Sequence, residues 1–442
     1  MKVAVIGSGY VGTTAAAIFA NSGHSVVALD IDQAKVDAVN SGQAPFYEAG
    51  LNELLANAVN SKQLSATADY QKAIKDADII LSAVGTPDKP DGSSNLDYIF
   101  AAAKKAAKHL KPGAIYVQKS TVPVGTGRQI VELLPDSVHY LSNPEFLRES
   151  TAVIDTLLFD RVVVGGESQT AVDKLFKFHQ SVEKHAKQIA TIAGLEDKLL
   201  EIEENEGEYI AATLESTELI KVSANAFLAM KISFANSIAK LCDQTGADIT
   251  EVMTAVGRDS RIGGAFLNAG RGYGGGCFPK DVSGLIASAQ SNGVDLSIMT
   301  STQLVNESMP GYIITKTSGK IGGYEDKTIA VLGLAFKSGT SDTRKSAGIK
   351  IANKLIDLGA TVRVYDPEAN DEATPELADT IAISASAETA VESSDAVFVT
   401  TDWPEFNDLL LSITDTIVVD CMNTYDPGSL QSSVNYVGVG RD

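Results

Sequence analysis

Short apolar runs, glycine turns and longer amphipathic stretches alternate along the first half of this chain. The first run is residues 2–6, and a helix-like stretch follows to Ser22; after Gly23 a second run, residues 24–29, ends on Asp30. Further runs fall at 77–84, 114–119, 139–142 and 161–164. Runs that are apolar throughout predict parallel strands covered on both faces, with helices as the crossovers. The rhythm then changes. Residues 215–242 contain neither proline nor glycine and predict one long helix. A helical region at 249–256 follows, then a largely helical stretch from Asp281 to Thr317, broken near Pro310-Gly311. From residue 328 the opening rhythm returns, with runs at 328–332, 361–365, 396–400, 417–420 and 436–439 and a helix at 347–358. The pattern predicts an α/β chain: two Rossmann-like doubly wound domains joined by a central helical region, bounded at 1–212, 213–319 and 320–442. The acidic piece 196–208 shows no chemistry and reads as a solvated connector or helix face.

Charge narrows the partners. The 442 residues carry 56 acidic and 36 basic side chains, a formal net charge of −20, which argues against nucleic acid or an anionic membrane. No apolar run reaches membrane-span length, and the opening residues lack a signal peptide's apolar stretch, so a cytosolic chain is expected. Three cysteines, Cys242, Cys277 and Cys421, are too few and too scattered for a disulfide framework. No metal-ligand cluster stands out.

The first strand runs into Gly7-Ser8-Gly9-Tyr10-Val11-Gly12, and Asp30 closes the next strand. The parts of this strand, G-x-G-x-x-G, helix, strand and acid unit provide a tight turn, approach to pyrophosphate, helix–sheet packing and a carboxylate for the ribose 2′-hydroxyl. An acid at position 30 favours NAD over NADP. Later strands end in polar loops holding Thr86, Thr121, Glu145 and Glu149, which a doubly wound sheet places over the cofactor cleft. For the two glutamates, an exposed loop is the competing reading.

The densest chemistry lies at Gly270-Arg271-Gly272-Tyr273-Gly274-Gly275-Gly276-Cys277-Phe278-Pro279-Lys280-Asp281. Its glycines let a ligand approach the backbone, and a helix is predicted over 282–290. Cys277 thus precedes a helix N-terminus with Lys280 nearby, and both influences favour thiolate. A small buried core cysteine is the alternative. Lys221 and Asn225 are four apart on the long helix and share a face, although a surface lysine would look the same. In the third domain the glycine fingerprint is degraded, with Ala335 and Ser338 at the second and third glycine positions. Lys337, Arg344 and Lys345 gather there, suited to phosphates or forming a plain surface cluster. Oxidising an alcohol needs no cysteine. A thiolate is useful when an aldehyde must go on to an acid through a thiohemiacetal and a thioester.

These stretches carry a resemblance. The chain resembles the UDP-glucose 6-dehydrogenases, within the UDP-glucose/GDP-mannose dehydrogenase family, over nearly its whole length. The match rests on residues 3–12 with Asp30 and Lys35, 84–87, 119–125, 143–149, 218–221 with Asn225, 273–281 and 333–344. By the resemblance, Cys277 is the nucleophile, with Lys221, Asn225 and Asp281 assisting at the oxyanion and the attacking water. Glu145 acts in thioester hydrolysis, with Thr121 near the water. Lys35, Thr86, Thr121, Glu149, Lys280 and Arg344 join Gly7, Gly9, Tyr10, Val11, Gly12 and Asp30 at NAD. Glu145, Phe146, Leu147, Lys221, Asn225, Arg261, Phe266, Tyr273, Gly274, Gly275 and Lys337 meet UDP-glucose, Arg261 from the partner subunit of a homodimer. The implied reaction takes UDP-glucose and two NAD to UDP-glucuronate and two NADH, serving polysaccharide biosynthesis.

The chain departs from the family at Ser150-Thr151, where glycine usually follows the second glutamate, at Ser237, and at Gly276, where serine is common. Three rival readings follow: the same chemistry on GDP-mannose or another nucleotide sugar, a hydroxyacid-type dehydrogenase with an incidental cysteine, and a non-catalytic NAD-binding regulator.

Overall fold

The computed structural model describes residues 1–441. The chain divides into two compact units, Met1–Ser223 and the remainder from Ala224.

The first unit holds eight strands: β1 (Lys2–Ile6), β2 (Ser25–Leu29), β3 (Leu64–Thr67), β4 (Ile79–Ser82), β5 (Ile115–Gln118), β6 (His139–Ser142), β7 (Arg161–Gly165) and β8 (Glu208–Ala212). They form one sheet in the order β3-β2-β1-β4-β5-β6-β7-β8, antiparallel between β6 and β7 and parallel elsewhere. The order reverses between β1 and β4, where Ile6 lies beside Ser82, and a crevice opens at the carboxyl ends of the strands. Apolar clusters cover both faces: Ile18, Leu54 and Leu55 on one side, Ile80, Ile99 and Tyr116 on the other. That is why β1 and β4 are apolar at consecutive positions rather than alternating.

The second unit repeats the plan with β9 (Thr328–Leu332), β10 (Thr361–Tyr365), β11 (Ala382–Ile383), β12 (Ala396–Val399), β13 (Ile417–Asp420) and β14 (Asn435–Val437), ordered β11-β10-β9-β12-β13-β14 and parallel throughout. Helix α1 (Tyr10–Asn21) follows the first glycine turn; α2 (Leu214–Thr245), α3 (Ile249–Gly257), α4 (Phe278–Ser291) and α5 (Ser297–Ile321) form the helical region, and α6 (Ala347–Asp357) follows β9.

One expectation needs correction. Pro310 does not break the last long helix. It sits inside α5 with Met309, Ile313, Ile314 and Thr317, all buried. Burial of that apolar face outweighs a proline penalty of about 3 kcal/mol. The interruption falls earlier, after Ser291, where Gly293 takes φ +71°. For the acidic stretch the solvated-connector reading gives way to the helix-face reading. A short helix, Leu199–Glu203, packs Leu199 and Ile202 onto the first core, with Leu195 just before it joining the same cluster, and the chain then enters β8 beside β7. Strands β3 and β11 are too short to stand out in the pattern, and β8, at the edge of its sheet, has no fully buried position.

Candidate active site

The dinucleotide turn fits its proposed ligand. Gly7 takes φ +96°, and a Cβ there would lie 2.6 Å from the Ala83 carbonyl oxygen; one on Gly12 would lie 1.9 Å from the Gly7 carbonyl oxygen. Gly9, by contrast, faces open space, so the backbone can be approached from outside. Asp30 accepts the Ser8 N–H at 2.6 Å and the Asp32 N–H at 3.0 Å and stays partly exposed, with lone pairs to spare for a ribose hydroxyl. The hydroxyls of Ser8, Thr13 and Thr14 are buried with no partner among the described residues. The equivalent acid of the second sheet is differently employed. Asp366 is fully buried and accepts five N–H groups: Leu334, Ala335, Glu368, Ala369 and the Trp403 indole. It has no capacity left for a ribose, so the second sheet does not hold a dinucleotide in the manner of the first.

Behind that turn, Tyr10 donates its hydroxyl hydrogen to the buried Glu48 and accepts the Ser150 N–H. This ties the glycine turn to the loop carrying Glu145 and Glu149. Ser150 itself takes φ +69°, a left-handed conformation that glycine adopts freely. That explains why glycine is usual there. Ser150→Gly is expected to raise stability by about 0.5–1 kcal/mol, checked as a higher urea midpoint.

A charged cluster stands at the end of β6. Glu145 and Lys221 form a buried ion pair at 3.2 Å, and the Glu145 carboxylate also accepts the Leu147 N–H at 2.6 Å. Lys221 lies 5.3 Å above the Phe146 ring, and the Arg161 guanidinium lies 4.0 Å from that ring's centre. Lys119, which sequence reasoning passed over, donates to the Asn143 side-chain oxygen at 3.2 Å. Burial lowers its pKa to about 8, partly offset by the charge of Glu145 and reinforced by that of Lys221. His179 contacts the same Asn143 oxygen at 3.1 Å, and burial with Lys119 nearby lowers its pKa to about 3, so the imidazole is neutral. Thr121 accepts the Thr86 hydroxyl at its carbonyl oxygen, 3.2 Å away. Lys35 and Glu149 are partly exposed.

In the second unit Cys277 is the residue before α4 and is partly exposed, whereas Cys242 and Cys421 are buried and burial raises their thiol pKa values. One turn on, the Asp281 N–H donates to the Cys277 carbonyl oxygen at 2.8 Å. The Asp281 side chain is buried and accepts from the Asn225 amide at 2.6 Å and the Lys280 ammonium at 2.7 Å. Lys280 therefore spends its charge on Asp281 in this structure.

The glycine segment is held in place by partners that spacing did not reveal. Asn306 accepts the Tyr273 N–H at 2.7 Å and donates to its carbonyl oxygen at 3.0 Å, and Asn236 accepts the Gly270 N–H at 2.7 Å. Arg271 is buried and donates to the Phe336 carbonyl oxygen at 2.6 Å. A Cβ on Gly274 would lie 2.8 Å from the Lys345 carbonyl oxygen, and one on Gly275 would enter the Phe336 ring. Gly276 leaves room for the Arg344 guanidinium, which pairs with Asp342 and would lie 2.3 Å from a Cβ there. The absence of the usual serine is thus matched by the arginine beside it. Lys337 lies 5.8 Å from the Phe336 ring centre, and Phe266 stands 5.9 Å from Phe278. Arg261 is not among these contacts. Its guanidinium is exposed and paired with Asp259 at 2.6 Å.

The sequence matches three domain profiles of the UDP-glucose/GDP-mannose dehydrogenase family: the NAD binding domain over residues 1–183, the central domain over 215–308 and the UDP binding domain over 330–427. The UDP-glucose 6-dehydrogenase TuaD of Bacillus subtilis is 39% identical over 100% of this chain and 93% of its own length. A UDP-glucose 6-dehydrogenase of Rhizobium meliloti is 37% identical with 100% of both chains covered. Among solved structures, a UDP-glucose dehydrogenase of Pyrobaculum islandicum superposes with a TM-score of 0.87 at 33% identity, covering 100% of this chain and 98% of the other. Among the described residues no helix is long and apolar enough to cross a membrane. The chain belongs to the UDP-glucose/GDP-mannose dehydrogenase family and is an NAD-dependent nucleotide-sugar dehydrogenase.

Proposed function

We propose that this enzyme oxidises UDP-glucose to UDP-glucuronate through a thioester on Cys277, with residues 1–212 holding NAD, 213–319 supplying the cysteine segment and the dimer contact, and 320–442 holding the UDP-sugar. The observation that carries this reading is the buried Asn225–Asp281 hydrogen bond one helical turn from a partly exposed thiol. A dehydrogenase that stops at an aldehyde or ketone needs no such arrangement. Bound NAD would supply the hydride acceptor for each of the two oxidations, and the hydroxyl proton lost in the first passes to solvent water.

The chain's own groups do the rest. The Cys277 thiolate adds to the aldehyde carbon, forming a carbon–sulfur bond and an oxyanion that Lys221 and Asn225 stabilise, with Asp281 holding the Asn225 amide in place. Oxidation of this adduct leaves the thioester. Water then attacks the thioester carbon, Glu145 takes the water's proton, and the carbon–sulfur bond breaks to return the thiolate and release the acid. Paired to Lys221 and accepting the Leu147 N–H, a Glu145 carboxylate is acceptor-only, the form a base requires. Thr121 orients that water. Gly7, Gly9, Tyr10, Val11, Gly12, Asp30, Lys35, Thr86, Glu149, Lys280 and Arg344 hold NAD, while Phe146, Leu147, Arg261, Phe266, Tyr273, Gly274, Gly275 and Lys337 hold the sugar nucleotide.

The relatives named UDP-glucose 6-dehydrogenases favour glucose as the sugar. Comparing kcat/KM for UDP-glucose, GDP-mannose and UDP-N-acetyl sugars tests this, with UDP-glucose expected to lead by about a hundredfold or more. A lead for GDP-mannose would overturn the substrate assignment. The homodimer is supported by Phe227, Phe234 and Leu241, each about half exposed at seven-residue intervals along α2. Such a stripe is the kind of apolar surface a partner covers. Phe234→Asp is expected to shift the protein from dimer to monomer in light scattering.

A further inference from the structure

We infer that Glu218 is a positioning residue, whose ionised carboxylate clamps the loop carrying Thr121 and thereby sets the fraction of enzyme competent for thioester hydrolysis. The link to rate rests on the role proposed above for Thr121; the clamp itself does not.

Glu218 lies on α2 one turn before Lys221 and is 3% exposed. One carboxylate oxygen accepts the Gly125 N–H and the other accepts the Gly127 N–H, both at 2.7 Å, across more than ninety residues of chain. The loop between β5 and the short helix Thr126–Val131 is anchored at its start by Ser120, which donates to the Val84 carbonyl oxygen at 2.7 Å, and by the Thr86–Thr121 bond at 3.2 Å. Its end is fastened by Glu218. Gly125 takes φ +90° immediately before that helix, whose first N–H groups lack intrahelical partners. The fit is close: a Cβ on Gly127 would lie 2.9 Å from the Tyr140 ring and 3.0 Å from the Glu218 carboxylate.

The clamp requires ionisation. With both oxygens accepting N–H groups, a proton on either one replaces an acceptor by a donor and breaks that bond. The groups facing Glu218 are Glu215 on its own helix, Arg128 on the short helix and Tyr140 on β6. Burial pushes its pKa up to about 7; the two backbone bonds and Arg128 pull it down, and Glu215 adds to the rise. Because the folded value lies above the ordinary 4.5, ionising Glu218 as pH rises through this window costs folding stability. The clamp is therefore retained against stability, and neutral Glu218→Gln is expected to fold.

The test follows exchange of the backbone amides in residues 120–128, corrected for intrinsic rates, together with steady-state kinetics. In the wild-type enzyme this segment is expected to be protected at pH 8 and to exchange about tenfold faster at pH 6. Glu218→Gln should show the fast exchange at both pH values, with kcat at pH 8 down about tenfold and KM for the sugar within twofold. Its kcat should also lose the ionisation near pH 7. Protection independent of both pH and the substitution would overturn the clamp. Fast exchange with unchanged kcat would leave the clamp standing and remove Thr121 from the hydrolytic step.

Discussion

Cys277→Ser is expected to lower UDP-glucuronate formation by about a thousandfold or more. Serine preserves the shape of the side chain before α4 but replaces a thiol, whose thiolate is the nucleophile, by a hydroxyl that ionises far less readily. The neighbouring Asn225–Asp281 and Lys280–Asp281 bonds run between those three side chains, so they should remain intact. Binding of NAD and UDP-glucose should accordingly stay within a few-fold of wild type, measured by fluorescence or calorimetry. Product formation at the wild-type rate would remove the thioester from the mechanism.

Glu145→Gln should fail later in the cycle. Neither the first oxidation nor thiol addition uses the Glu145 carboxylate as a base, so two NADH per active site are expected in an early burst. Turnover should then slow by about 10²–10⁴-fold, the range for losing a general base. Mass spectrometry of the stalled enzyme should find the uridine-diphosphoglucuronyl group attached to Cys277. A second effect accompanies the first. The substitution leaves the Lys221 ammonium buried without its carboxylate, which costs about 3 kcal/mol or more of stability. Both effects can be read from one protein, the first from the burst and the second from a urea titration. No burst would move Glu145 to an earlier step.

Much of this arrangement was legible in the sequence because its signals are local. A buried parallel strand, three glycines and an acid eighteen residues on lie in one short stretch, and the β1–β4 switch point appears there in the fold. The position of Cys277 before α4 followed from Pro279 and the helical spacing after it. What spacing could not show were pairings across long stretches of chain. Lys119 and His179 converge on Asn143 from 24 and 36 residues away, and Glu218 reaches Gly125 across 93. Each looks unremarkable in its own segment. Nothing in the spacing sets Arg271 apart within its glycine segment, yet it is buried against the turn that carries Lys337. Pro310 misled for the opposite reason, since a strong local signal was overridden by packing of the helix face around it. Leu195, Leu199 and Ile202, spaced among the acidic residues, seat that stretch on the core and decide between its connector and helix-face readings.

In the proposed mechanism one active site carries a primary alcohol to an acid, with the cysteine holding the carbon between the second oxidation and hydrolysis. The most direct measurement is NADH formed per UDP-glucose consumed, run to completion with NAD in excess. Two NADH are expected for each sugar, with UDP-glucuronate as the product. One NADH per sugar, with an aldehyde left in solution, would contradict it.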